Sequence, residues 1–290
     1  MRVKKAVIPA AGFGTRMLPA TKAVPKEMLA LVDKPVIQYV VEELAASGIE
    51  EILIITGRGK GVMEDHFDYA PELEEKFVQN GDGKTLGMLR GVADMANIYW
   101  TRQKAAKGLG HAVACAKSFT ADEPFLVVLP DDLVVNEGYP CSKQMIDTFE
   151  SAKKSVVGVQ RVDRKDISKY GCAGVRELSE RCYEVTGLVE KPKIEEALSD
   201  LAVMGRYVFT QEIYEAIAKT KPGHGGEIQL TDAMKLLMEN KKLLAFEFEG
   251  RRFDTGSKLG YMTANVEMAL KHPEIAQSFQ DYLKERVKTL

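Results

Sequence analysis

The sequence predicts an α/β fold in which helices flank a mixed, mostly parallel sheet. Short apolar runs at residues 3–9, 51–56 and 125–129 have the length and the β-branched content of buried strands. A helical pattern separates the first two runs, and strand–helix–strand order is typical of right-handed βαβ units. No internal repeat, low-complexity segment or linker rich in Pro, Gly or Ser divides the 290 residues. We therefore expect a single domain with one continuous sheet.

The first half of the chain continues this alternation. Residues 35–47 carry apolar side chains at helical spacing, and Gly48 supplies a stop signal. The charged stretch 62–91 predicts further helices. Residues 98–101 then predict a strand, and residues 110–118 predict a helix.

The pattern changes after residue 155, where apolar runs follow one another with few helices between them. These runs predict strands at residues 156–162, 173–177, 183–189 and 203–209. Helices are predicted at residues 230–238, 259–270 and 275–287. The second half should therefore extend the sheet and make it mixed.

The bulk composition is that of an ordinary globular protein, with 45% apolar and 28% charged residues. A net charge of −2 gives no broad cationic field for nucleic acid or anionic lipid, so a phosphate ligand must meet a local cluster of cations. The N-terminal apolar stretch is too short for a signal peptide or a membrane span. The scattered cysteines and histidines predict a reduced, cytoplasmic protein without a disulfide framework or a His-based metal site.

The loop after the first strand, residues 10–19, lies where α/β folds often bind phosphate. Gly12 and Gly14 would let backbone N–H groups approach anionic oxygens, and Arg16 adds a planar cation with several donors. The sequence lacks the G-K-[ST] ending of a P-loop and the G-x-G-x-x-G spacing of dinucleotide oxidoreductases. The alternative is a tight turn in which the glycines serve geometry alone and Arg16 is solvated.

Two aspartates, Asp131 and Asp132, follow the predicted strand at residues 125–129. Ligands of open α/β sheets usually bind at the carboxyl ends of strands, and Mg²⁺ prefers oxygen ligands. Asp131 is therefore a candidate metal ligand, with Asp132 as its neighbour. A polar turn or a helix cap is the alternative interpretation.

Residues 9–29, PAAGFGTRMLPATKAVPKEML, resemble the signature of the sugar-1-phosphate nucleotidyltransferase family, and in detail that of its uridylyl-transferring bacterial members. The resemblance continues in family order, over nearly the whole chain, through KPVIQYVVEE, KGLGHAV, LPDD, LVEKP, GRYVF, GGEIQLTDAM and FDTGSKLGY. It implies a single-domain Rossmann-like nucleotidyltransferase fold. It also implies an enzyme that joins the UMP half of UTP to glucose 1-phosphate and releases pyrophosphate.

The resemblance implies a division of this catalytic domain, which would cover residues 1–270. Residues 1–135 would bind the nucleotide and residues 136–270 the sugar. Residues 271–290 would form a C-terminal helix that is a candidate oligomer contact, since members of the family commonly form dimers or tetramers. Its apolar stripe consists of Ile275, Phe279, Tyr282, Leu283 and Val287. Such a stripe packs most often on its own domain, which is the alternative here.

The resemblance also implies roles for individual cations. Arg16 would hold the departing β and γ phosphates, Lys26 would share that task, and Lys191 would grip the phosphate of the sugar 1-phosphate. Pro192 restricts the residue before it, which predicts an extended backbone at Lys191. Ordinary solvated cations are the alternative for all three.

Nucleotide binding is implied for Ala10, Ala11, Gly12, Gly14, Thr15, Glu27, Gln103 and Gly108. The Gln103 carboxamide offers both a donor and an acceptor, which matches the imide edge of a pyrimidine. Glu27 follows the motif lysine where related thymidylyltransferases tend to carry Gln, which favours uridine. A surface loop is the alternative for Gln103.

Metal and sugar binding complete the expected site. Asp131 and Asp254 would together hold Mg²⁺, and Glu190 would accept hydrogen bonds from glucose hydroxyls. Gly171 and Gly205 would leave room for the sugar ring, although Gly171 alone could be an ordinary turn. Two rival functions stay open: a related transferase that uses dTTP, CTP or ATP or makes UDP-galactose, and a catalytically silent regulatory paralogue.

Overall fold

The computed structural model describes residues 1–240 and 242–289, apart from the side chain of His224. Its strands are β1 (Lys5–Ala10), β2 (Ala30–Leu31), β3 (Lys34–Pro35), β4 (Glu51–Thr56), β5 (Asn97–Arg102), β6 (Phe125–Val128), β7 (Asp132–Val135), β8 (Ser155–Arg161), β9 (Gly171–Ser179), β10 (Cys182–Glu190), β11 (Leu201–Phe209), β12 (Leu243–Glu247) and β13 (Arg251–Asp254).

The α-helices are α1 (Val36–Ala46), α2 (Val62–Phe67), α3 (Pro71–Gln79), α4 (Gly83–Ala93), α5 (Leu109–Ala114), α6 (Lys117–Thr120), α7 (Cys141–Ala152), α8 (Glu212–Lys219), α9 (Leu230–Glu239), α10 (Lys258–Ala269) and α11 (Ala276–Val287). Short 3₁₀ helices lie at Thr15–Met17, Ala20–Lys22, Lys26–Met28, Arg164–Lys169, Ile194–Glu196 and His224–Gly226. Within residues 1–240 and 242–289, no helix is long and apolar enough to cross a membrane.

The main sheet has the order β5-β4-β1-β6-β11-β8-β12-β10-β9 within the described residues. The first four strands pair in parallel, as βαβ connections require. From β6 onward the pairing is antiparallel, except between β8 and β12. The expectation of a mixed sheet with helices is thus confirmed, and neighbouring strands are predominantly parallel only in the first half. A separate two-stranded sheet pairs β7 with β13, and another pairs β2 with β3.

Side chains alternate between the two faces of this sheet, and helices bury both faces. On one face Ile8 and Leu126 join a cluster that contains residues of α1 and α7. On the other face Val7 and Val127 pack with residues of α5, α8 and α9. Burial on both faces explains why the strand runs in the sequence are continuously apolar.

A buried ion pair joins three elements at the centre of the molecule. The Arg206 guanidinium on β11 is fully buried and contacts both carboxylate oxygens of Glu43 on α1, at 2.6 and 3.2 Å. The backbone N–H of Ser142 on α7 donates to the same carboxylate at 2.9 Å. Arg206 also donates to the Gly205 carbonyl at 3.1 Å, so the pair holds the backbone at Gly205 in place.

Several elements differ from the sequence-based expectation. The helix predicted at residues 110–118 is wrong as a single helix: Cys115 and Ala116 donate to carbonyls three residues back, and this tighter bonding separates α5 from α6. Four further features were not predicted from the sequence: α7, α8, β12 and the β7–β13 pair. The short strands of that pair carry little local signal, because their partners are more than a hundred residues apart.

Candidate active site

A cavity of about 340 Å³ lies at the carboxyl ends of β1 and β6, which are parallel neighbours. Open α/β sheets usually bind ligands at this edge. The cavity is lined by Pro9, Ala11, Gly12, Phe13, Thr15, Lys26, Glu27, Gln103, Ala106, Gly108, Leu109, Ala112, Leu129, Asp131 and Glu227. The structure therefore brings together most residues of the predicted nucleotide group with Lys26 and Asp131.

The conformation of the first loop depends on the backbone of Gly14 and on a hydrogen bond from the side chain of Thr21. Gly14 has φ 66°, in the left-handed region that glycine tolerates best. Its carbonyl accepts a hydrogen bond from the Thr21 hydroxyl at 2.7 Å and one from the Met17 N–H at 3.0 Å. A Cβ at Gly12 would meet no atom within 4 Å, so the backbone there is open to a ligand.

Opposite charges converge where β6 ends. The Lys26 ammonium lies 2.6 Å from a carboxylate oxygen of Asp131, and the Arg16 guanidinium lies 3.4 Å from the same oxygen. Arg16 also lies 3.6 Å from a carboxylate oxygen of Asp254. Lys26 and Asp131 are mostly buried, whereas the Arg16 side chain is 61% exposed. A ligand could therefore draw Arg16 away from the carboxylates at little cost.

The β7–β13 pair explains how Asp254 reaches Asp131. Asp254 lies opposite Asp132 in this register, and both the N–H and the hydroxyl of Thr255 donate to the Asp131 carbonyl, at 2.9 and 3.0 Å. A Cβ at Gly256 would lie 2.6 Å from an oxygen of Asp131 and 3.2 Å from one of Asp254. Both carboxylates thus converge on one position, beside the Arg16 guanidinium. Such a pair could hold Mg²⁺, because this ion needs only one or two carboxylates when phosphate oxygens and waters supply its other ligands.

The pKa shifts in this cluster follow from the same contacts. Burial alone would lower the pKa of the Lys26 ammonium, but the carboxylates of Asp131 and Glu27 outweigh burial and raise that pKa. Burial likewise opposes ionisation of Asp131, yet the cations of Lys26 and Arg16 hold the pKa of its carboxyl below the usual value. Both groups are therefore charged at neutral pH.

A second buried ion pair supports the floor of the cavity. The Lys60 ammonium contacts both carboxylate oxygens of Glu27, at 2.9 and 3.0 Å, and donates to the Ala10 carbonyl at 2.5 Å. Burial lowers the pKa of Lys60, although Glu27 opposes the shift. Lys60 was missed in the sequence because the lysine sits in a glycine-rich loop, where a solvated cation is the usual interpretation.

The loop that carries Gly108 is held by backbone hydrogen bonds to Ile228, which is more than a hundred residues away in the sequence. The Gly110 N–H donates to the Ile228 carbonyl at 2.9 Å, and the Ile228 N–H donates to the Lys107 carbonyl at 2.8 Å. Gly108 itself has φ 95°. The GGEIQLTDAM motif therefore forms one wall of the cavity through Glu227, a placement that the motif alone did not indicate.

The predicted sugar residues form a neighbouring group. Glu190, at the end of β10, accepts a hydrogen bond from the Thr231 hydroxyl at 2.7 Å. A Cβ at Gly171 would lie 3.3 Å from the same Glu190 oxygen, so the carboxylate packs closely against this glycine. Thr231, which belongs to α9, was not identified from the sequence.

Asp132 links the two groups. Its carboxylate accepts from the Gly205 N–H at 2.8 Å and from Arg252 Nε at 2.6 Å. Arg252 in turn donates to the Tyr170 hydroxyl at 3.1 Å. A Cβ at Gly205 would lie 2.6 Å from Asp132, so a side chain there would break this contact. The sequence indicated Asp132 only as a neighbour of Asp131 and gave no role to Arg252.

Lys191 departs from the expected conformation. Its φ is 44°, so the prediction of an extended backbone before Pro192 is wrong. The strand β10 ends one residue earlier, and the Lys191 N–H donates to the Tyr170 carbonyl at 3.1 Å as the chain turns. A non-glycine residue in this region is strained, and such strain is concentrated at functional sites. The ammonium is half exposed and lies 3.9 Å from Glu190.

The chain is similar to known proteins over nearly its whole length. The family model described as Nucleotidyl transferase matches residues 5–271. The chain is 47% identical to the UTP–glucose-1-phosphate uridylyltransferase of Bacillus subtilis (strain 168), over 98% of this chain and 97% of that protein.

Solved structures are similar as well. A UTP-bound UGPase from Acinetobacter baumannii has a TM-score of 0.91 at 37% identity, with 98% of this chain and 99% of that one covered. A UDP-glucose pyrophosphorylase complexed with UDP-glucose has a TM-score of 0.85 at 41% identity, with 93% and 100% covered.

We predict that Gly108→Ala lowers the free energy of unfolding by at least about 2 kcal/mol, because its Cβ would lie 2.7 Å from Glu227 Cβ and 2.9 Å from the Ile228 carbonyl at a positive φ. Gly87→Ala is the matched control. Gly87 lies inside α4 in open space, so alanine should leave stability unchanged or raise it by up to about 1 kcal/mol. Urea denaturation measures both, and an equal response of the two variants would contradict the packing described for Gly108.

Proposed function

This chain belongs to the nucleotidyl transferase family, and we propose on that premise that it transfers the uridylyl group of UTP to glucose 1-phosphate, giving UDP-glucose and pyrophosphate. The observation that carries this proposal is the charge cluster of Asp131, Lys26, Arg16 and Asp254 at the carboxyl edge of the sheet. Relatives whose names state the same reaction align with the chain from end to end.

The reaction is a displacement at the α-phosphorus of UTP. A phosphate oxygen of glucose 1-phosphate forms the new P–O bond while the bond to pyrophosphate breaks in line with it. The attacking group is already an anion, so no general base is required.

Catalysis then consists of positioning and charge neutralisation between two anions. Arg16 and Lys26 hold the β and γ phosphates, and Lys191 holds the phosphate of the sugar 1-phosphate. When bound, Mg²⁺ supplies a charge that screens the repulsion between the phosphates. Asp131 and Asp254 are the residues that would hold it.

The two substrates occupy the two groups of residues. UTP lies along the first loop, Ala10 to Thr15, with its base near Gln103, Gly108 and Glu27. Glucose lies beside Glu190, whose carboxylate accepts from its hydroxyls, and next to the backbone at Gly171 and Gly205. The nucleotide half comprises about residues 1–135 of one domain, and the sugar half about residues 136–270.

The four cysteines are free thiols, which suits a reducing cytoplasmic location.

In a pyrophosphate-release assay with glucose 1-phosphate and Mg²⁺, UTP should give at least about tenfold higher kcat/KM than dTTP, CTP or ATP. EDTA should abolish turnover, because it removes the Mg²⁺ that Asp131 and Asp254 would hold. The negative charge of the phosphates would then not be neutralised. Equal rates with ATP and UTP would contradict the assigned nucleotide, and full activity in EDTA would contradict the metal.

Asp131→Ala and Lys191→Ala should each lower kcat by about a hundredfold or more, the usual scale for one preorganised electrostatic group. Lys193→Ala is the control, because Lys193 lies two residues away with a side chain that is 74% exposed. Steady-state kinetics and circular dichroism give the readouts. Native spectra with activity within a few-fold of wild type in all three variants would show that these roles are wrongly assigned.

Among the residues that the structure describes, none in the terminal helix α11 is buried. Tyr282 and Val287 on its apolar stripe are exposed. We propose that this stripe contacts a second copy in a homodimer or tetramer. Multi-angle light scattering should show an oligomer that is weakened by truncation before His272. A monomer at micromolar concentration would contradict the proposal, and an intact oligomer after truncation would place the contact elsewhere.

A further inference from the structure

Two protein groups hydrogen-bond to the Gln103 carboxamide. The carboxamide therefore cannot turn over to present either its NH₂ group or its oxygen to a base. Its amide nitrogen Nε2 lies 3.1 Å from the Gly108 carbonyl oxygen and 2.9 Å from Nδ1 of His111. Gln103 and Gly108 line the cavity, whereas His111 stands behind them on α5.

The chemistry of these neighbours decides which carboxamide atom is which. A carbonyl oxygen can only accept a hydrogen bond, so the atom beside Gly108 must be the NH₂ group and not Oε1. Because that NH₂ also faces Nδ1 of His111, Nδ1 must be an acceptor. His111 is then neutral and carries its proton on Nε2.

This arrangement uses both amide protons of Gln103. Its Oε1 has no hydrogen-bond partner anywhere in the described parts of the chain, residues 1–240 and 242–289. The sequence predicted that Gln103 offers both a donor and an acceptor to the base. In the structure only the acceptor, Oε1, is available, because both amide protons are already used.

We propose that His111 is a specificity-determining positioning residue: it engages the amide proton of Gln103 that the Gly108 carbonyl leaves over, so that the base meets a lone acceptor. Uracil presents an N–H at ring position 3 and cytosine presents a lone pair there. The first pairs with Oε1, and the second is repelled by it. Thymine also carries the N–H, so this device separates UTP from CTP and does not separate UTP from dTTP. The proposal rests on the uridylyl transfer proposed above.

Two variants at position 111 separate this role from simple packing. His111→Leu removes the acceptor, whereas His111→Asn keeps one, because Oδ1 of Asn can occupy the place of Nδ1. Initial rates with glucose 1-phosphate and either UTP or CTP give kcat/KM for each nucleotide.

For His111→Leu we expect the UTP-to-CTP ratio of kcat/KM to fall about tenfold, the scale of one hydrogen bond, through a higher KM for UTP. For His111→Asn the ratio should stay within about twofold of wild type. A merely structural role would weaken both nucleotides equally in His111→Leu and leave the ratio unchanged, which would overturn the proposal.

A ¹⁵N NMR measurement of the His111 tautomer in the wild-type protein at pH 8 tests the hydrogen bond between His111 and Gln103 without any turnover. The expected signal is a neutral His111 with the proton on Nε2. A proton on Nδ1 would overturn the assigned carboxamide orientation, even in an active enzyme. If wild-type protein forms no UDP-glucose from UTP, the proposed function fails instead, and the NMR result still decides the geometry.

Discussion

The pairing of β13 with β7 is the constraint on which the site depends. It brings Asp254 beside the residues after β6, although the chain passes through the whole second half of the sheet in between. The two hydrogen bonds from Thr255 to the Asp131 carbonyl fix the distance between the metal-binding candidates. Without this short sheet, the two carboxylates would not share Arg16.

Asp132 and Arg206 extend that constraint to Gly205, a residue of the proposed sugar group. Asp132 belongs to β7 and holds the Gly205 N–H, while Arg206 holds the Gly205 carbonyl from the opposite direction. The backbone at Gly205 is therefore fixed by two buried charged side chains, each with its own counter-ion in Arg252 or Glu43. Removal of one partner from such a pair leaves an uncompensated buried charge, so these contacts tie the position of the Gly205 backbone to the stability of the fold.

Much of the site could be predicted because its signals are local. The loop with Gly12, Gly14 and Arg16 and the carboxylate Asp131 follow strands, where backbone geometry and phosphate chemistry restrict the choice of residue. Lys60 and His111 could not be predicted in this way. They contact Glu27 and Gln103, respectively, and the residues next to them in the sequence give no sign of those contacts. The φ of Lys191 was missed because the rule for residues before proline gives a preference that the Tyr170 carbonyl overrides.

In the proposed reaction the uridylyl group passes directly between two bound anions and is never held covalently by the protein. Exchange of labelled pyrophosphate into UTP, in protein freed of bound sugar nucleotide, distinguishes this path from a covalent one. With direct transfer no label enters UTP until UDP-glucose is added, because pyrophosphate can re-form UTP only from the product. Rapid exchange in the absence of both UDP-glucose and glucose 1-phosphate would reveal a covalent intermediate and rule out direct transfer.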